Sequence, residues 1–308
     1  ARMDNRTIIQ WGKNDLDELG LIKVDILSLG MLTCLKKALD QVGYQLHTLP
    51  AEDPETYAMI QRCDTVGVFQ IESRAQKSML GRLLQANFYD LVVEVAIVRP
   101  GPIVGQMVHP YLKRRRGEEE VVYPNAAVER ILGRTLGVPL FQEQVMKLAV
   151  ELAQFTPGEA DLLRRSINAW RPESHAASFA LLTYASCYLK CHHPAEFACS
   201  LINSQPMGFY RIDTILYDAI RHGVMALPVD FHVSEWDSRV VKGDIQLGFH
   251  VVRGLGREPF DDLKRARERR PFTSFGDLVQ RLAWRRDVLY RLCMAGAMRG
   301  FALEPREA

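Results

Sequence analysis

A carboxylate and an ammonium group stand two residues apart near the start of the chain. Residues 21–26 alternate between apolar and other side chains, which predicts a short strand, so Lys23 and Asp25 would share one face. The opposite face would carry Val24 and Ile26. A carboxylate on a rigid strand is a good metal ligand, and a neighbouring lysine suits the charge of a triphosphate. The local pattern alone favours the ordinary alternative, an aspartate that is capped, paired or solvated.

Two adjacent arginines follow an aspartate on a predicted helix. Arg164 and Arg165 come after Asp161, and neighbouring helical side chains point about 100° apart, so one arginine can reach a ligand while the other braces a neighbour. The planar guanidinium group suits two-pronged contacts with phosphate. An ordinary exposed pair, with Asp161 as local partner, is the alternative, and the pattern by itself favours it.

A glycine-rich turn precedes a basic helix in the C-terminal part. Arg253-Gly254-Leu255-Gly256 resembles the hairpin of a helix-hairpin-helix motif, and the predicted helix 257–269 carries Lys264, Arg265 and Arg267. Two glycines let backbone amides approach a phosphate at the positive end of the following helix. Contacts of this kind read no base sequence. A lone Gly-x-Gly is a weak signal, and the cations that follow strengthen it.

The cysteines do not predict a disulfide framework or a zinc site. They lie at positions 34, 63, 187, 191, 199 and 293 without a CxxC pair. Cys187 and Cys191 would share a helix face close to His192 and His193, which makes a metal site conceivable. We instead predict a helix with buried thiols and a polar end, because no second ligand pair follows.

Composition indicates a folded chain of about two domains that lies in the cytoplasm. It has 308 residues, of which 47% are apolar. Its longest apolar stretch, 91–98, is too short to span a bilayer, and no apolar core follows the charged first residues as in a signal peptide. The net charge is only +2, but basic residues cluster at 113–116 and from 264 to 286.

Hydrophobic periodicity predicts a mainly α fold with short β segments. Strands are predicted at 21–26 and 245–252, and residues 66–71 are predicted to form either a strand or a buried turn. The predicted helices cover residues 31–41, 54–62, 73–98, 141–155, 158–169, 176–189, 194–203, 210–222 and 257–269, with a helical pair closing the chain.

Taken together, the motifs resemble the bacterial DNA polymerase III alpha family (the C-family DNA polymerases), and most closely its error-prone DnaE-type branch, also called ImuC. The resemblance runs through nearly the whole chain in order. It rests on the segments LIKVDIL (21–27), GVFQIES (67–73), VRPGP (98–102), FQEQVM (141–146), DLLRR (161–165), SHAASF (174–179) and, for the error-prone branch in particular, NSQPMGFY (203–210).

The resemblance implies a function for each group of candidate residues. Asp25 would bind a catalytic Mg²⁺, one ion of a two-ion site for nucleotidyl transfer. Lys23 would lie beside the triphosphate of the incoming deoxynucleotide, and Arg164, Arg165 and His175 would contact that nucleotide. The hairpin with Lys264, Arg265 and Arg267 would hold primer–template DNA. A sliding clamp and accessory mutagenesis proteins are the further partners it implies.

The implied domains are a palm remnant (1–30), helical fingers (31–205), a connector (206–235) and a truncated helix-hairpin-helix element (236–308). Three departures from the family pattern accompany them. By this resemblance, the two other catalytic aspartates would lie upstream of residue 1, several tens of residues would be deleted near 171–173, and the chain would stop before a clamp-binding tail. We therefore expect this chain alone not to extend a primer.

Two alternatives remain open. The same departures suit a non-catalytic nucleic-acid-binding module or a degenerate gene product. A structural or interaction protein fits less well, because the arginine pair and the glycine hairpin would then have no use.

Overall fold

The computed structural model describes residues 15, 19–20, 29–98, 110–166, 172–207 and 210–301, and of residues 165 and 166 the backbone alone. Helices dominate, which confirms the predicted mainly α class. They are α1 (Leu29–Val42), α2 (Pro54–Gln61), α3 (Arg74–Leu83), α4 (Phe88–Ile97), α5 (Ala126–Leu132), α6 (Gln142–Ala153), α7 (Pro157–Ser166), α8 (Glu173–His192), α9 (Pro194–Ile202), α10 (Ile212–Arg221), α11 (Arg257–Arg269), α12 (Phe275–Leu282) and α13 (Arg286–Met294).

Side-chain caps set several helix starts. The Asp53 carboxylate accepts from the amide of Thr56, with Pro54 in the first turn of α2. The stretch 73–98, predicted as one helix, is two. Leu84 ends α3 in the left-handed region at φ 50°, and Asn87 then caps α4 by accepting from the amide of Asp90. A new cap inside the stretch is more stable than a helix carried through it.

The long helix α8 crosses α4 and α2 and forms the first core with them. Its buried face contributes Ala180, Tyr184 and Cys187, which pack against residues such as Leu91 and Ile60. Residues 66–71 form a buried turn in the structure, as one of the two predicted alternatives had it. Gly67, at φ +75°, allows this turn.

A second core joins α1, α9 and α10 to a small sheet. It contains Leu35, Phe197, Ile215 and Ile245. The strands are β1 (Ala226–Leu227), β2 (Arg239–Val241) and β3 (Asp244–Gln246), in the order β1-β3-β2. β1 runs parallel to β3 with Ala226 opposite Ile245, and β2 runs antiparallel to β3.

The predicted strand 245–252 is wrong beyond its first residues. β3 ends at Gln246, and the chain turns into one 3-10 turn, Phe249–Val251. Gly248 is still extended, and beyond it the amides of Phe249 and His250 donate to the carbonyls of Glu235 and Trp236 rather than to a neighbouring strand. A Cβ on Gly248 would lie 2.3 Å from the carbonyl carbon of Asp237, so glycine allows this close approach of the two backbones.

The C-terminal part has its own core under α11, α12 and α13, where a helical pair had been predicted. Phe231, Phe249, Phe260 and Leu263 lie at its centre. Among the residues that the structure describes, no helix has the length and apolarity to span a membrane.

Candidate nucleic-acid interface

The glycine hairpin lies between the 3-10 turn Phe249–Val251 and α11. Gly254 adopts φ +78°, a conformation that favours glycine, and its carbonyl accepts from Arg291 Nη1 of α13 at 2.7 Å. A Cβ on Gly254 would lie 2.3 Å from that same nitrogen. The glycine therefore serves the turn and lets α13 pack against it.

The first amides of α11 lack a side-chain cap. Gly256 occupies the N-cap position and has no side chain that could accept a hydrogen bond from the first amides of the helix. The amides of Arg257 and Glu258 are therefore open to an acceptor from outside the helix. Such a helix start attracts anions such as phosphate. The carboxylate of Glu258 lies in the same turn and opposes part of that attraction.

The cations predicted to bind DNA differ in their availability. Arg253 and Lys264 are exposed, and no ion pair engages either one within the described residues. Arg265 is also exposed but pairs with Asp262 one turn back. Arg267 is placed differently from the prediction. Its guanidinium lies 2.7 Å from Glu235 and also donates to backbone carbonyls.

Arg267 is therefore part of the fold and not of an open phosphate surface. Its side chain is 16% exposed, and it ties α11 to the segment that carries His232, Ser234 and Glu235. A guanidinium that already satisfies a carboxylate and two carbonyls has few donors left for a ligand.

Two arginines of the basic run 113–116 are likewise committed to internal contacts, whereas Lys113 is exposed. Arg115 holds both carboxylate oxygens of Asp90 at 2.6 Å and donates to the carbonyl of Leu83. Burial acts to lower the pKa of Arg115, but the ion pair with Asp90 outweighs it and raises that pKa. Arg114 contacts Glu119 and the carbonyl of Leu136. These two arginines attach the run to neighbouring elements of the first core.

In the fingers part, the local partner of Arg164 is present. Its Nε lies 2.7 Å from the Asp161 carboxylate, with both side chains a little over one third exposed. This is the contact of the ordinary alternative. His175 lies in the first turn of α8, its ring 4.3 Å from that of Phe179, which in turn stacks on Phe69.

A buried lysine forms a network that sequence inspection missed. Lys190 Nζ lies 2.6 Å from Asp218 and 3.1 Å from Asp64, and His222 Nε2 lies 2.7 Å from Asp64. Burial acts to raise the pKa of Asp64, but Lys190 and His222 outweigh it and lower that pKa. No local signal announces this network, because Lys190 stands 28 residues from Asp218 and 124 from the Val66 carbonyl that it also contacts.

Two clusters of the described residues bring together metal-ligating atoms. One is Asp64, Asp218 and His222, where the Lys190 ammonium already supplies the positive charge. The other is Asp53 with Cys191 and His192. Cys187 belongs to neither, since it is fully buried in the first core, as predicted for a structural thiol.

Comparison with known proteins matches both parts of the chain. Residues 31–182 match the bacterial DNA polymerase III alpha subunit finger domain, and residues 223–308 match a helix-hairpin-helix motif. An error-prone DNA polymerase of Alkalilimnicola ehrlichii is 51% identical over 360 residues that include the whole chain. Relatives with the same name from Pseudomonas fluorescens and Methylococcus capsulatus are 49% and 46% identical. The chain belongs to the C-family DNA polymerases, on their error-prone branch. The predicted resemblance is thereby confirmed.

The chain spans about a third of the length of these C-family relatives. It covers 35% of the Alkalilimnicola protein and 34% of the Pseudomonas fluorescens protein. The alignment with the former runs over 360 positions against 308 residues of this chain, which leaves at least 52 positions to the relative alone. Such a gap agrees with an internal deletion. Its position near 171–173 stays a prediction.

Several site residues implied by the C-family resemblance lie outside the described residues. These are Lys23 and Asp25, together with the side chain of Arg165. The expected magnesium site at Asp25 is among them. Among the described site residues, Arg253 lies in the hairpin and Lys264 about two turns along α11, while Arg164 and His175 lie within the segment that matches the finger domain.

Proposed function

We propose that this chain supplies the fingers and the duplex-holding element of an error-prone DNA polymerase that copies a template by two-metal nucleotidyl transfer. The observation that carries the proposal is the order of the two matches in this chain, fingers first and helix-hairpin-helix second, together with its similarity to relatives named error-prone DNA polymerase. Its substrates would be primer–template DNA and deoxynucleoside triphosphates, and its compartment the bacterial cytoplasm. A sliding clamp and accessory mutagenesis proteins are proposed as further partners.

Within this proposal each site residue has a distinct task. Asp25 holds Mg²⁺, which supplies charge stabilisation at the reacting phosphate when bound. Lys23 lies beside the triphosphate, and Arg164, Arg165 and His175 position the nucleotide. The proposed palm (1–30) and fingers (31–205) would carry these residues.

The duplex contact is proposed for the hairpin and its flanking cations. The uncapped amides at the start of α11 would receive one phosphate, and Arg253, Lys264 and Arg265 would neutralise others. Arg267 has no part in this contact, because Glu235 already engages it.

The test is the salt dependence of duplex binding by the 308-residue chain. Each neutralised phosphate adds about −0.9 to the slope of log K against log salt, so the double variant Arg253→Ala/Lys264→Ala should flatten that slope by roughly 1.8. Weakening should be equal on unrelated duplex sequences. Arg221→Ala/Lys147→Ala removes the same charge from exposed positions on α10 and α6, and should leave the slope unchanged.

Equal slopes for the two double variants would reject the hairpin as the duplex contact.

The second candidate function is a nucleic-acid-binding module without catalysis, and the gap of at least 52 alignment positions favours it. Primer extension separates the two. Both candidates predict duplex binding, and the polymerase proposal alone predicts that a complete relative carrying this segment loses extension when Asp25 is changed.

A further inference from the structure

The end of α8 and the start of α2 bring three different ligand types together. Cys191 and His192 are the last residues of α8, and Asp53 is the N-cap residue of α2. One carboxylate oxygen, the thiol sulfur and one ring nitrogen all lie within 4.8 Å of one another. The Asp53 Oδ2 to His192 Nε2 distance is 2.8 Å. A sequence separation of 139 residues hid this cluster from sequence inspection.

Neighbouring side chains hold these ligands in place. The Tyr184 hydroxyl accepts from the amide of Asp53 at 2.9 Å and donates to the carbonyl of Pro50 at 2.7 Å, which fixes the loop before α2. The ring of Tyr188 packs 4.6 Å from that of His192. Both tyrosines belong to α8, so one rigid element positions two ligands and orients the third.

The charge in this cluster differs from that of the Asp64 cluster. No lysine or arginine contacts Asp53 within the described residues, whereas Lys190 occupies the space between Asp64 and Asp218. The Asp53 carboxylate is 18% exposed and the His192 ring 26%, so an ion can reach them from solvent without being fully dehydrated first.

The donor set and its spacing suit zinc. Thiolate, imidazole and carboxylate are the ligands that Zn²⁺ takes in proteins, and tetrahedral bonds of about 2.0–2.3 Å put neighbouring ligand atoms roughly 3.3–3.8 Å apart. The Asp53–His192 contact would open by less than about 1 Å, and the thiol would close by a similar amount, both within reach of side-chain rotation. Three protein ligands leave a fourth position for water.

We propose that Asp53, Cys191 and His192 bind Zn²⁺ and that the ion ties the end of α8 to the start of α2. This site is separate from the magnesium site proposed at Asp25. It also differs from the metal site considered in the sequence analysis, which combined Cys187 and Cys191 with the neighbouring histidines. Cys187 is buried elsewhere, and the third ligand comes from α2.

The test uses Co²⁺ as a spectroscopic stand-in for Zn²⁺ on the 308-residue chain. A bound cobalt ion with a thiolate ligand gives a charge-transfer band in the near ultraviolet, which should saturate at one ion per chain and disappear when Zn²⁺ is added. Cys191→Ser should abolish the band. Asp53→Asn should weaken binding at least 10-fold, the smallest loss typical even of an outer-shell partner, while its side-chain oxygen still caps α2.

Cys63→Ser is the matched control, since Cys63 is the other partly exposed cysteine of the described residues. It should leave the band and the affinity unchanged. A second measurement guards against misfolded variants: Zn²⁺ should raise the melting temperature of the parent chain and of Cys63→Ser, and should not raise that of Cys191→Ser. A cobalt spectrum without a thiolate band, or a band that Cys191→Ser leaves intact, would overturn the proposal.

Discussion

At the scale of single residues, Glu94 stands out as a carboxyl group in the first core. It is fully buried on α4, and burial raises its pKa to about 8 although a hydrogen bond from Gln85 acts to lower it. Gln85 Nε2 donates to one Glu94 oxygen at 3.2 Å, and the remaining side-chain oxygens of both residues have no hydrogen-bond partner among the residues that the structure describes. A proton on Glu94 supplies the donor that this pair of acceptors requires.

Glu94→Gln should therefore stabilise the chain at alkaline pH. The folded-state pKa lies above the unfolded value of about 4.5, so the folded chain binds more protons between these values and its free energy of unfolding falls as pH rises through them. The glutamine of the variant does not titrate, so its free energy of unfolding does not fall with pH in this way. We expect it to be more stable than the parent by on the order of 5 kcal/mol at pH 9, with only a small difference near pH 4.5. Urea unfolding across pH 4.5–9 measures this, with exposed Glu129→Gln as control; a pH-independent difference would contradict the assignment.

Gly254 offers a second residue-scale prediction. Gly254→Ala places a methyl group at φ +78° and against the Arg291 guanidinium, so we expect a loss of about 1–2 kcal/mol from backbone strain and a further loss from the displaced arginine. Gly243→Ala is the matched control, with φ +86° and no atom within 4 Å of the added carbon. Thermal unfolding of both variants separates strain from displacement. Equal losses would mean that the Arg291 contact adds nothing.

At the scale of elements, α8 connects most of the fingers part. It packs on α4, α2 and α9 in the two larger cores. Its last turns bring Lys190 to Asp64 and to Asp218 of α10, so a buried ion-pair network adds to the apolar contacts that α8 makes with both neighbours. Two of the three proposed zinc ligands, Cys191 and His192, are the next two residues of the same helix.

Lys190→Met should destabilise the chain strongly. The Lys190 side chain is 2% exposed, and removing its ammonium leaves two partly buried carboxylates with His222 as their remaining partner. Breaking a buried pair in this way costs about 3–5 kcal/mol. Lys36→Met breaks a helical pair with Asp40 that is 76% exposed on the lysine side and should cost less than about 0.5 kcal/mol. Denaturant unfolding compares the two. A small loss for Lys190→Met would show that the network is solvated.

At the scale of the whole molecule, the proposed polymerase function joins residues that belong to different parts of the chain. Asp25→Asn in a complete relative carrying this segment should abolish primer extension while leaving duplex affinity and folding nearly unchanged, because it removes the charge that holds Mg²⁺ and keeps the side-chain shape.

Arg164→Ala in the same relative should instead raise the nucleotide concentration needed for half-maximal incorporation, by a factor that corresponds to about 1.5–3 kcal/mol. Single-nucleotide incorporation measures both. Full activity of Asp25→Asn would return Asp25 to an ordinary structural role, and unchanged nucleotide dependence of Arg164→Ala would leave it paired with Asp161 alone.

The sequence by itself determined the helical class and most helix positions. Apolar periodicity, prolines and caps act within a few residues of each other, so α1, α2 and α11 were predictable to within one or two residues. The same local logic failed at 73–98, where a second cap competes with a continuing helix, and at 245–252, where the chain leaves the sheet after Gln246 and its amides donate to carbonyls of residues 235 and 236.

Tertiary structure alone decided which polar side chains from distant parts of the chain meet. The sequence offered Arg267 as a phosphate ligand, but the packing of α11 against the segment around Glu235 turns its guanidinium inward. It offered Cys187 beside Cys191, but the first core buries the former and the loop before α2 brings Asp53 to the latter. Partners more than a hundred residues apart leave no local pattern, because their meeting depends on how the helices pack and not on the residues between them.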